Sequence, residues 1–128
     1  MNYFFSKIIK DSFDNAVSKV TEALSKEGFG VLTEIDVKET LKKKLNVQFK
    51  NYKILGACNP PFAYEALKVE DKIGTMLPCN VAVIEQANGS IEIAVVDPVA
   101  SMQAIQNEKL GGIANQIRDK LKKVVESL

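Results

Sequence analysis

The dipeptide Asn88-Gly89, set between two apolar runs, constrains this chain more than any other feature. Both residue types accept the positive φ that tight hairpin turns need, so residues 80–86 and 90–96 are expected to fold back on each other as antiparallel strands. Such a hairpin counts against a fully parallel doubly wound sheet, in which every strand is followed by a crossover helix.

The other elements follow closely, without a linker, repeat or low-complexity segment. Residues 2–9 carry Tyr3, Phe4, Phe5, Ile8 and Ile9 and read as an opening strand. Asp11 or Ser12 then caps a helix with Phe13, Ala16, Val17, Val20 and Leu24 on one stripe, and Gly28 stops it. Phe29 to Val37 reads as a half-buried strand with Phe29, Val31, Ile35 and Val37 on one side. Val37, Leu41 and Leu45 recur every four residues among lysines, which predicts a short amphipathic helix. Tyr52 to Cys58 reads as an inner strand. Asn59-Pro60-Pro61 ends it and opens a helix with Phe62, Ala63, Ala66 and Leu67 inward. Gly74 and Pro78 predict a loop over 69–78, and Asp97-Pro98 caps a further turn. The closing helix begins near Asn107 and presents Leu110, Ile113, Ala114, Ile117, Leu121, Val124 and Leu128 as one stripe. This order predicts an α+β fold: a mostly antiparallel sheet with helices on one face and a long C-terminal helix. At 128 residues and 46% hydrophobic content the chain is expected to form one domain over 1–128, with a core that needs no disulfide or metal.

The charge balance is nearly even, 17 basic against 16 acidic residues, so no strong field toward nucleic acid or an anionic membrane is expected. Lys42-Lys43-Lys44, with Lys38 and Lys50, reads as a solvated helix face rather than an anion patch, because no aromatic residues interleave with it. The N-terminal apolar stretch is too short for a signal peptide, and no run approaches the ~20 apolar residues of a spanning helix. A cytoplasmic location is therefore expected, with Cys58 and Cys79 as free thiols.

Much chemistry is excluded. The chain has no histidine, which removes His-based general bases, Cys-His and Ser-His nucleophiles, and His-rich metal sites. There is no Gly-rich phosphate loop, and two cysteines alone make neither a zinc nor a cluster site. The carboxylate pairs Glu70-Asp71 and Glu34-Asp36 fall where exposed polar residues are expected. No cofactor can be assigned.

What stands out is the repeated Cys-Asn beside proline: Gly56-Ala57-Cys58-Asn59-Pro60-Pro61 and Leu77-Pro78-Cys79-Asn80. Proline restricts the backbone at both turns. Cys58 precedes a helix start, where the dipole and unpaired amides favour a thiolate or an anion. Buried cysteine also serves as a small apolar filler, and Asn-Pro is a good way to leave a strand, so packing alone explains either segment.

The strings 52–61, Ala63-Tyr64-Glu65-Ala66-Leu67, Ile73-Gly74 and Leu77-Pro78-Cys79-Asn80-Val81 together resemble the prokaryotic family called domain of unknown function 302. The resemblance covers nearly the whole chain. It implies a curved antiparallel sheet similar to the TATA-binding-protein-like class, and a homodimer. It implies no activity.

Three readings follow. The first is a non-catalytic module holding a small ligand or anion near Cys58, Asn59, Pro60, Cys79 and Asn80, with Tyr64 and Met76 as walls. The second is redox, persulfide or soft-metal handling, with Cys58 as a low-pKa thiolate, Cys79 as its resolving partner and Met76 as a third soft ligand. The third is an assembly domain whose spare apolar face pairs with a second copy.

Overall fold

The computed structural model describes residues 2–128. Five strands, β1 (Phe4–Ile9), β2 (Gly30–Asp36), β3 (Tyr52–Cys58), β4 (Cys79–Glu85) and β5 (Ile91–Val96), form one open, curved sheet in the order β1-β5-β4-β3-β2. Every neighbouring pair is antiparallel. The helices are α1 (Phe13–Lys26), α2 (Val37–Leu45), α3 (Pro60–Val69), the single turn α4 (Pro98–Ser101) and the long α5 (Glu108–Glu126). The fold is thus α+β, as the strand and helix periods imply. Among the described residues no helix is long and apolar enough to cross a membrane.

The hairpin forms where Asn88-Gly89 places it. Gly89 adopts φ 85°, and Gln86 N–H donates to Ser90 O at 2.8 Å. Ser12 caps α1 by accepting from Asn15 N–H at 3.1 Å, and Gly28 ends that helix at φ 86°. Asn107 caps α5 by accepting from Lys109 N–H at 3.1 Å. The segment expected to be a loop over 69–78 contains a 3-10 helix, Asp71–Met76, with Ile73 fully buried. Its cause is packing: Ile73 joins Ala66, Met102, Leu110 and Ala114 in a small second cluster under α3 and α5.

The main core lies between the sheet and the layer of α1 and α5. Leu55, Ala57, Val81, Val83, Ile91, Ile93 and Val95 point from the three central strands into Val20, Leu24, Leu121 and Val124. Strand alternation sends the intervening residues to the opposite face. There the register lines up three rows: Ile8, Glu92, Ile84 and Tyr52; then Ser6, Ala94, Ala82, Ile54 and Ile35; and, at the end holding the cysteines, Phe4 beside Val96 and Asn80 beside Gly56 and Thr33.

Strand β2 departs from the expected pattern. Val31 pairs with Ala57 but Thr33 pairs with Gly56, so Leu32 is an extra residue and a β-bulge. The bulge reverses the alternation. Val31 stays on the helix side, whereas Ile35 moves to the open side opposite Ile54. The prediction that Val31 and Ile35 share a face fails for this reason. The helix α2 forms as predicted, yet none of its residues is buried, and Leu45 is 66% exposed.

Gly56 is the tightest point of the sheet. A Cβ there would lie 2.7 Å from Pro78 Cγ and closer still to Thr33 Oγ1. The hydroxyl can rotate away, but the proline ring cannot. Gly56→Ala is expected to destabilise the fold by about 1–3 kcal/mol in urea unfolding. Adding Thr33→Ala should recover only part of that loss; full recovery would show that the ring contact costs nothing.

Candidate functional site

Cys58 ends β3 and Cys79 opens β4. Ala57, not Cys58, is opposite Cys79, so the cysteines sit on neighbouring strands one residue out of register. Cys58 is half-buried, and Cys79 is buried at 6% exposure. Both line one small cavity together with Asn59, Pro78, Phe29, Met102 and Ile117. Its volume is only about 20 Å³, close to what a single water needs.

The environment does not activate either thiol. Burial pushes the Cys58 thiol above its ordinary value. Burial, and then the charge that Cys58 would carry, push Cys79 up to about 11. Burial therefore works against the expected low-pKa thiolate at Cys58, and Pro60-Pro61 removes part of its support. These residues occupy the first two positions of α3 and carry no N–H, so two of the amides that would face an anion are missing. The first helical donor with a backbone partner is Ala63 N–H, bonded to Asn59 O at 2.9 Å.

Asn59 occupies the N-cap position without a side-chain cap bond. Its Nδ2 donates instead to Glu27 O at 3.2 Å, tying the end of α1 to the start of α3. It is one of two buried polar residues among those described. The other, Asp97, caps α4 by accepting from Val99 N–H at 3.0 Å, and its other oxygen lies 3.4 Å from Arg118 Nε. Both are structural ties.

The remaining candidates do not gather at the cysteines. Tyr64 is 63% exposed, with Lys68 Nζ 4.6 Å above its ring. Met76 ends the 3-10 helix at 41% exposure, and Pro60 is exposed at the start of α3. Among the described residues no three His, Cys, Asp or Glu side chains cluster to hold a metal.

Asn80 belongs elsewhere. Its side chain lies on the open face of the sheet, at a groove of about 400 Å³ lined also by Tyr3, Phe4, Tyr52, Ile54, Ala82, Ile84, Glu92, Ala94 and Val96. The floor is low because Ala82 and Ala94 are directly opposite each other across β4 and β5. The walls are high because Phe4, Tyr52, Ile54 and Ile84 surround them. Glu92 is the sole charge, and its carboxylate accepts from Gln86 Nε2 at 2.9 Å. The reading of the sequence missed this groove, although a signal was present. Residues 81–84 and 93–96 are apolar at every position rather than at alternate ones, which marks strands whose two faces both seek cover.

Comparison with known proteins adds the lineage. The family profile described as "Domain of unknown function DUF302" matches residues 5–128. The chain belongs to this family. The crystal structure of an uncharacterized conserved DUF302 protein from Bacillus stearothermophilus is similar at 27% identity and a TM-score of 0.90, with 98% of each chain covered. No curated protein matches this DUF302 chain. Neither the family nor the solved relative carries an activity in its name, so the chemistry must be read from the geometry.

For the thiols that reading is testable. Iodoacetamide at pH 7 should modify Cys58 slowly, with the rate rising as pH rises and not yet levelling off at the ~8.5 of an ordinary thiol. Cys79 should react only after unfolding. Rapid labelling of either native thiol at pH 7, followed by mass spectrometry, would contradict the burial argument.

Proposed function

We propose that this DUF302 chain is a non-catalytic binding module, one domain working as a cytoplasmic homodimer, that holds a small apolar molecule in the groove on its open sheet face. One observation carries the reading: a groove of about 400 Å³ with an alanine floor, apolar walls and very few polar groups. Ligand sites characteristically have this volume and makeup. Among the described residues the side chain of Asn80 makes no hydrogen bond within the protein. It is thus available to a ligand carbonyl or hydroxyl, while Glu92 is engaged by Gln86. The ligand class is an elongated apolar compound with one hydrogen-bonding group. The missing histidines, the raised thiols and the absence of a polar cluster in the groove favour holding over turnover.

The small cavity beside Cys58 and Cys79 supports this function less well than the groove. Of the residues picked out by sequence, Asn80 is the one that carries over.

The groove reading predicts that 8-anilinonaphthalene-1-sulfonate, an amphipathic fluorescent probe with apolar aromatic rings, binds the folded protein with enhanced emission. Straight-chain alcohols and acids should displace it. Ala94→Leu raises the floor and should weaken probe binding at least about tenfold, a loss of ~1.4 kcal/mol, with the melting temperature preserved. No probe binding to the wild-type protein, or equal binding to Ala94→Leu, would overturn the proposal.

A further inference from the structure

The helices cover one face of the sheet, and among the described residues the other face carries only one charged side chain, Glu92, across its three rows. Depletion of charge over an apolar patch distinguishes the buried centre of an interface, and homodimer interfaces most of all. Exposed apolar side chains stand on both outer strands: Ile8 is 62% exposed on β1 and Ile35 48% on β2. Single exposed residues need no explanation, but a continuous patch does.

The patch does not stop at the sheet. Residues 42–50 are all exposed, and this arm carries Leu45, Val47 and Phe49 among four lysines. The Phe49 ring lies 6.2 Å from that of Tyr52, which belongs to the open face, so arm and face form one surface.

We infer that a second copy of this chain covers the open face and the apolar arm, so that the groove becomes a chamber closed between two subunits. Area supports this occupant. Five strands at ~4.8 Å spacing and six residues at ~3.4 Å give a face of roughly 480 Å². The arm enlarges this toward the ~800 Å² per partner of a standard stable interface. Composition supports it too, because a face without a charge pattern is complementary to itself across a two-fold axis. Lys42, Lys43 and Lys44 repel their symmetry mates, so the arm rests against the partner's sheet rim and its lysines stay in water. The closed chamber rests on the groove being a ligand site; the contact surface stands without it.

Sedimentation equilibrium of the full chain at about 10–100 µM tests the contact, a range that reveals a dimer of micromolar affinity or better. The expected mass is twice the 14.1 kDa of one chain, and it should persist in about 1 M salt, where ionic contacts are screened. Ile8→Lys and Phe49→Ser change exposed side chains, so they should leave the circular dichroism spectrum intact while raising the dimer dissociation constant at least about 100-fold. Ala94→Leu should remain dimeric and lose only the fluorescent probe. A monomer throughout, another stoichiometry, dissociation by salt alone, or a dimer indifferent to both surface variants would overturn the inference. A stable dimer that binds no probe would leave the interface standing and sink the ligand proposal alone.

Discussion

The packing of α1 and α5 onto Leu55, Ala57, Val81, Val83, Ile93 and Val95 governs everything else in this molecule. It places the layers, and it also consumes the helices. The chain has one long closing helix and one opening helix of comparable width, and together they shield a single side of five strands. The strands themselves are apolar on both sides over residues 81–84 and 93–96. The uncovered side is therefore not a by-product of loop geometry but the direct result of pairing a two-sided apolar sheet with a one-sided helical layer.

Much of this architecture is legible in the residues. Asn88-Gly89 fixes the hairpin, Asp11-Ser12 and Asn107 mark two helix starts, Gly28 fixes a stop, and the stripe from Leu110 to Val124 fixes α5. These are local rules, settled within a few residues of chain. The failures are all non-local. The 3-10 helix at 71–76 exists because Ile73 finds Ala66 and Leu110. Ile35 changes sides because of a bulge that only the pairing with β3 reveals. The exposure of Leu45 depends on what does not pack against it.

The cysteine motif shows the same division. The residues mark both cysteines as strand-edge positions, but that Cys58 and Cys79 approach one cavity follows from the pairing of β3 with β4, which their spacing does not encode. That the cavity is too small for a ligand, and that Asn59 reaches back to Glu27 rather than outward, depends on distances no spacing encodes. One part lies in the residue types alone: Pro60-Pro61 strips two donors from the start of α3, which weakens the electrostatic case for a thiolate.

The bulge at Leu32 acts as a phase shifter for the edge of the sheet. Upstream of it β2 follows the helix-side register through Val31; downstream it presents Ile35 outward and turns Glu34 toward the helix side, where Lys53 Nζ meets its carboxylate at 2.8 Å. Were Leu32 instead paired in register opposite Gly56, plain alternation would return and Glu34 would replace Ile35 on the open rim. The difference between a greasy border and a charged one, and hence between a sheet edge that associates and one that stays in solvent, is written here as a count of residues rather than as a choice among them.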